Sequence, residues 1–202
     1  MKIKTKDKIL NISKKLFLEK GYHETDMRLI AKESNMAIGS LYYHYKNKDE
    51  LFNSVIDSVW DSSNKQFQSI LLADNLSSKD KLKVYLKELY LVVKTKEKLG
   101  LSKFVFSNSK SYKKSIDEDM EVKIQGIGSK IHNDLYNLIT EILNHNDSNM
   151  DDYNKHRLST SLIYSILGIV ELYAEDSNLK TDFEVEEEKD LEFLSNYVDY
   201  LF

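Results

Sequence analysis

Apolar residues recur along this chain at intervals of three and four for most of its length, and polar clusters interrupt the rhythm in only a few places. The sharpest run is Ile116, Met120, Ile124, Ile127, Ile131, Leu135, Leu138 and Ile142. Its spacings of 4, 4, 3, 4, 4, 3 and 4 predict a helix over residues 115–144. Ile9, Ile12, Leu16 and Phe17 predict the buried face of a helix over 5–20, which Gly21 ends. Leu51, Phe52, Val55, Ile56, Val59 and Trp60 place a helix over 48–67. Leu82, Tyr85, Leu86, Leu89, Tyr90 and Val93 place another over 79–98, opened by a Ser77–Asp80 capping box. Residues 151–175 are apolar on most sides, so that helix has to be buried on most sides. Leu191, Leu194, Val198 and Leu201 mark a last helix at about 185–202. Loops are expected around Asp74-Asn75, at 145–149 and around residues 176–182. Residues 99–112 are less regular, with Phe104 and Phe106 standing in a polar stretch.

Residues 25–48 break this pattern of long helices. Met27, Ile30 and Ala31 make a narrow apolar stripe, with Thr25 placed as its N-cap and Asp26 in the first turn. Ser34-Asn35 then stops the helix, since Asn tolerates the left-handed conformation. Ile38-Gly39-Ser40 opens a second short helix that continues through Leu41, Tyr42, Tyr43, His44 and Tyr45. Asn47 caps a third, with Glu50 three residues on. Two short helices joined by a tight turn form a helix-turn-helix pattern, and the small residues at the start of the second helix let a base edge come close. On this reading Ile38, Gly39 and Ser40 face base edges, while Tyr42, Tyr43 and Lys48 reach phosphates. Thr25 adds a phosphate contact from its helix N-terminus.

The stretch closely resembles the DNA-binding region of the TetR family of bacterial transcriptional repressors. The resemblance rests on Leu16-Phe17, Gly21-Tyr22, Thr25, Ile30-Ala31, Gly39, the run Leu41-Tyr42-Tyr43-His44-Tyr45, Lys46, Lys48, Glu50-Leu51 and Phe52. His44 matches the family's aromatic or His position. Asn35 stands in place of the usual turn Gly, Ala37 in place of a small hydroxyl residue, and Ile38 at a position often polar or basic. The resemblance implies an all-α, homodimeric regulator. Residues 1–48 would form a three-helix helix-turn-helix domain, and residues 49–202 a helical bundle for ligand binding and dimerisation. Its partners would be a palindromic double-stranded operator and a small-molecule effector.

Composition narrows the alternatives. The 202 residues contain no cysteine, which excludes disulfides and thiolate chemistry, and no proline, which favours uninterrupted helices. The first ten residues are too charged for a signal peptide, and the longest apolar run is far shorter than a membrane span, so a cytoplasmic location is expected. Residues 1–48 hold eleven Lys/Arg against five Asp/Glu, a surplus of six. The whole chain holds 29 against 33, which leaves eighteen against twenty-eight, a net −10, for the remainder. A basic head on an acidic body suits a protein that meets phosphates at one end.

No catalytic constellation is visible, and the expectation is a non-enzyme without cofactor or metal. The chain lacks a phosphate-cradling Gly loop, a nucleophile elbow and an HExxH pair. The five histidines never pair at helical spacing; His145, Asp147 and His156 are the set that could share a metal ion. Trp60, Phe67, Tyr85, Tyr90, Phe104, Phe106 and Tyr112 read first as core packing and second as the lining of a pocket for a small, largely apolar ligand, with Tyr hydroxyls as polar handles. Leu162, Ile166, Ile169, Leu191, Leu194, Val198 and Leu201 are the expected dimer face of the last two helices. The competing reading is a helical protein–protein interaction module whose basic head is incidental.

Overall fold

The structure, a computed structural model, describes residues 5–96, 118–171 and 186–202. Among them every regular element is an α-helix: α1 (Thr5–Lys20), α2 (Met27–Glu33), α3 (Ile38–His44), α4 (Lys48–Leu71), α5 (Ser78–Lys96), α6 (Glu118–His145), α7 (Asp152–Glu171) and α8 (Glu187–Leu201). The described residues divide into two compact units. One holds residues up to Asn64 with the described part of Thr95–Val122; the other holds Lys65–Lys94 and the described part of Lys123–Phe202. Phe104, Phe106, Tyr112 and Ile116, and the expected loops at 176–178 and 181–182, lie outside the described residues.

In the first unit, Ile9, Leu16, Phe17, Met27, Ile30, Ala31, Leu41, Leu51 and Phe52 are buried together with Tyr45. Phe17 meets Phe52 edge-on, with ring centres 5.0 Å apart. Burying one such side chain is worth about 1.5–3 kcal/mol, so these few positions dominate the stability of a small head. α1 ends as its sequence predicts: Gly21 takes φ 77° and donates to the Phe17 carbonyl at 2.9 Å.

The opening of α2 corrects the sequence reading. Asp26, not Thr25, is the N-cap, and its carboxylate accepts from the Leu29 N–H at 2.7 Å. Thr25 is fully buried, and its hydroxyl donates to the Gly21 and Leu16 carbonyls at 2.9 and 3.3 Å. Its side chain is therefore spent tying the α1–α2 loop to the end of α1 and offers no hydroxyl to a phosphate.

α2 ends in a Schellman motif. Asn35 sits at φ 52°, its N–H donates to Lys32 O at 3.0 Å, and the Met36 N–H reaches Ala31 O at 2.9 Å. α3 starts at Ala37 without a side-chain cap. It stops at His44 rather than continuing through Tyr45, which turns extended and inward. Asn47 then caps α4 through Glu50 N–H at 2.8 Å, and the Glu50 carboxylate reaches back to the Lys46 N–H at 2.7 Å. α4 continues unbroken to Leu71, one turn beyond the expected end.

In the second unit, cross-helix pairs set the direction of each neighbour. The end of α4 runs antiparallel to α5, since Phe67 stacks on Tyr85 (4.6 Å) while Lys81 donates to Leu71 O (2.9 Å). α6 is antiparallel to α5 through Ser78–Glu141 (2.7 Å) and Tyr85–Asp134 (2.9 Å). α7 is antiparallel to α6 through Tyr136–Asp152 (3.0 Å) and the stacked His132 and His156 rings (5.2 Å). α8 returns antiparallel to α5 through Lys83–Asp199 (2.7 Å), Tyr90–Asp190 (3.0 Å) and Lys94–Glu187. Ile127, Ile131, Leu135, Leu138 and Ile142 keep the predicted stripe of α6, and all are buried. Ser77 and Asp80 form the expected start of α5.

The last two helices bring a second correction. Leu162, Ile166, Leu194 and Val198 are fully buried within the single chain, and Ile169 and Leu191 are half-buried. The helix stripes read as a dimer face are mostly core of this chain, because an amphipathic stripe looks the same whether a neighbouring helix or another subunit covers it. Of the expected set only Leu201 is exposed. The outer faces of α7 and α8 instead carry Tyr153, Tyr164, Phe193 (51% exposed) and Tyr200 (87% exposed).

Candidate nucleic-acid interface

α3 is held by a single buried side chain, Leu41, and everything else on it faces outward or sideways. Ile38 is 40% exposed, Tyr42 52% and Tyr43 85%. Ser40 and His44 are half-buried, and the His44 ring meets Tyr43 edge-on at 5.1 Å. Gly39 is exposed, and a Cβ built there would meet nothing within 4 Å. No neighbour inside the chain therefore requires glycine at this position; its effect is to leave the backbone bare toward solvent. An isoleucine, a bare glycine and two tyrosines on one short exposed helix form an apolar face with hydroxyl tips, of the kind that meets base edges and phosphates.

Exposed positive charge lies on the neighbouring elements of the first unit. Lys46 is exposed immediately after it, Arg28 is exposed on α2, and Lys6 and Lys8 are exposed on α1. Lys6 lies 5.5 Å from the centre of the buried Tyr45 ring, which fixes the start of α1 beside the end of α3. Sequence reasoning did not single out Arg28, since no periodicity or spacing distinguishes it; its place at the second position of α2 is the only signal.

Lys48 behaves differently from the other lysines. It is half-buried, and its Nζ donates to the Tyr22 carbonyl at 2.9 Å and lies 3.9 Å from the centre of the Tyr22 ring. The Tyr22 hydroxyl in turn donates to Asp49. Burial first, then that hydrogen bond and the Asp49 charge, push the Tyr22 hydroxyl up to about 12.

The candidate ligand residues part company. Phe67 and Tyr85 stack with an interplanar angle of 29°, and both are buried. Tyr85 donates to Asp134, whose carboxylate also holds Lys130 at 2.6 Å; burial and then Asp134 drive the Tyr85 hydroxyl well above the usual tyrosine range. Tyr90 is buried one turn further along α5 and donates to Asp190. Both hydroxyls are thus engaged by carboxylates of this chain. Trp60 is half-buried and belongs to the first unit. His156 is stacked on His132 and on Tyr136 (4.3 Å), and among the described residues no group of three or more His, Asp or Glu could hold a metal ion. No helix of the described residues is long and apolar enough to cross a membrane.

Comparison with known proteins places the same stretch. Residues 9–55 match the family model described as bacterial regulatory proteins, tetR family. The HTH-type transcriptional regulator QacR of Staphylococcus aureus is 41% identical over 66 residues, which are 31% of this chain and 35% of that protein. The chain thus spans about a third of the length of that curated relative. Among solved structures, a TetR/AcrR-family regulator from Thermobifida fusca matches with a TM-score of 0.72 at 15% identity, over 96% of this chain and 95% of that one. AibR in complex with isovaleryl coenzyme A and operator DNA matches with a TM-score of 0.67 at 17% identity, over 96% and 97%. Residues 9–55 thus match the tetR-family model, and the fold along nearly the whole chain is that of TetR/AcrR-family structures.

Proposed function

We propose that the chain is a DNA-binding transcriptional regulator, a homodimeric repressor that holds a palindromic operator through α3 and leaves it when a small, largely apolar ligand binds the helical unit. The observation that carries the reading is the outer face of α3, where Ile38, Gly39, Tyr42 and Tyr43 are exposed with no packing reason to be apolar or bare. Ile38 offers apolar contact to a thymine methyl, Gly39 and Ser40 permit close approach, and Tyr42, Tyr43, His44 and Lys46 meet the flanking backbone. A protein of this fold, AibR, is solved in complex with isovaleryl coenzyme A and operator DNA, which supports a fold able to take both a small molecule and DNA. The dimer is built on the exposed aromatic faces of α7 and α8. There the exposed Gly168, where a Cβ would also meet nothing, gives room for close approach. A two-fold dimer sets its two recognition helices about 34–36 Å apart, one turn of DNA.

The test is binding of the purified protein to the DNA flanking its own gene, where an inverted repeat is the expected target. Tyr43→Ala should weaken binding without lowering thermal stability. Lys46→Ala should flatten the slope of log affinity against log salt by about one unit. Wild-type protein that binds no DNA in a salt-dependent way, or Tyr43→Ala and Lys46→Ala variants that bind as wild type does, would overturn the reading.

A further inference from the structure

Lys48 is the first residue of α4, where a positive charge opposes the helix dipole, whereas Asp49 and Glu50 beside it suit that end. Its side chain does not run out into solvent. It turns back to the loop between α1 and α2, where the Tyr22 carbonyl and ring receive it. Tyr22 is itself held by several contacts. Its ring packs edge-on to Phe52 at 4.8 Å, lies over Phe17 at 6.2 Å and meets His23 at 5.5 Å, and its hydroxyl is held by Asp49. The result is a closed loop: Asp49 holds Tyr22, Tyr22 holds Lys48, and the backbone joins Lys48 to Asp49.

Neither the carbonyl nor the ring neutralises the ammonium, and among the described residues no carboxylate pairs with it. An ammonium has three N–H donors and the Tyr22 carbonyl takes one. We propose that Tyr22 is a positioning residue for phosphate binding: it holds the Lys48 ammonium in place, with donors to spare, two residues from Lys46 at the turn between α3 and α4. The proposal rests on the reading of α3 as the DNA-contacting helix. Its physical basis is preorganisation, since a long side chain fixed before the phosphate arrives loses less freedom on binding.

The test is a double-mutant cycle in the full-length protein, read as affinity for a random-sequence DNA duplex across a salt titration. Lys48→Gln should reduce the salt slope by about one unit. Tyr22→Leu should weaken binding roughly three- to tenfold in the Lys48 background and cause no further loss in the Lys48→Gln background, so that the two effects do not add. Tyr22→Phe, which keeps the ring and loses only the hydroxyl, should restore most of the affinity, since both variants keep the backbone carbonyl. Additive losses would overturn the positioning role while leaving DNA binding intact; a wild-type protein without salt-dependent binding would overturn both. A readout that needs no variant is the Lys48 ε-methylene protons of the folded wild-type protein. The Tyr22 ring current should shift them upfield of the other lysines, and unshifted protons would overturn the proposal.

Discussion

The two units differ in where their polar groups find partners. In the first, helix ends are satisfied by neighbours a few residues away: Asp26 caps Leu29, Asn47 caps Glu50, Glu50 returns to Lys46, and Asn35 closes a Schellman turn. In the second, helices are joined by pairs far apart in sequence, Tyr85 with Asp134, Tyr90 with Asp190 and Lys83 with Asp199. The consequence is visible on their surfaces. The head leaves Tyr42 and Tyr43 exposed, whereas the helical unit buries its Tyr85 and Tyr90 rings and engages their hydroxyls internally. On the proposed reading, exposed aromatic groups mark where an outside partner binds. On α7 and α8 the same criterion selects Tyr153, Tyr164, Phe193 and Tyr200.

The largest expected effect separates inner from outer faces within one helix. Leu194 and Phe193 are adjacent on α8, the first 1% exposed and the second 51%. Leu194→Glu places a carboxylate in an apolar core without a partner and should unfold the unit, a loss of more than about 4 kcal/mol. Phe193→Glu should leave the fold intact and shift the protein toward monomer in sedimentation, with weaker operator binding as a consequence. A Phe193→Glu protein that remains dimeric, alone and combined with Tyr164→Glu, would place the partner on another surface.

Next in size is the Tyr85–Asp134 link, which is part-buried where its counterpart in the head, Tyr22–Asp49, is exposed. Asp134→Leu strips the acceptor from a buried hydroxyl and should cost about 1–3 kcal/mol, whereas Tyr85→Phe, leaving Asp134 with Lys130, should cost about 0.5–1.5 kcal/mol. Chemical denaturation midpoints at constant slope measure both. The same link predicts an alkaline limit. Tyr22 and Tyr85 both hold their protons more tightly in the folded chain than in the unfolded one, where tyrosine titrates near 10. Their contribution is fully present below about pH 10. It should fall as pH rises, for Tyr22 through about 12. Tyrosinate absorbance should therefore rise late and together with loss of helicity; two early-titrating tyrosines with helicity intact would contradict the burial of these hydroxyls.

What was legible in the sequence follows from this contrast. Periodicity located the helices, and the chemistry of Gly21, Asn35, Asn47 and Ser77 located their ends, because those signals act within a few residues. The Thr25 assignment failed because Thr and Asp are both good caps and stand side by side; only the tertiary position of Gly21 and Leu16 decides which turns inward. The dimer stripe failed for a related reason, since Ile166 and Leu194 satisfy the same spacing whether their cover is α5, α6 or another subunit. The hold of Tyr22 on Lys48 spans 26 residues and leaves no periodic trace.

The smallest effects test whether the departures of this head from the TetR-family pattern matter to folding or to DNA contact. Asn35 occupies a left-handed position at φ 52°, which glycine adopts with less strain. Asn35→Gly should therefore change stability by only a few tenths of a kcal/mol in either direction, the relief of strain being offset by the greater freedom of glycine in the unfolded chain. Ala37 is the N-cap of α3 and makes no side-chain hydrogen bond. Ala37→Ser adds an acceptor for the first turn and should raise stability by about 0.5–1 kcal/mol. Because Ala37 is exposed beside Ile38, the same hydroxyl also changes the surface offered to DNA. If α3 contacts DNA as proposed, Ala37→Ser should raise thermal stability and at the same time alter operator affinity, whereas Asn35→Gly should leave affinity alone. A variant that gains stability with operator affinity unchanged would mean that the start of α3 is only a helix end, and that base contact begins further along, at Tyr42 and Tyr43.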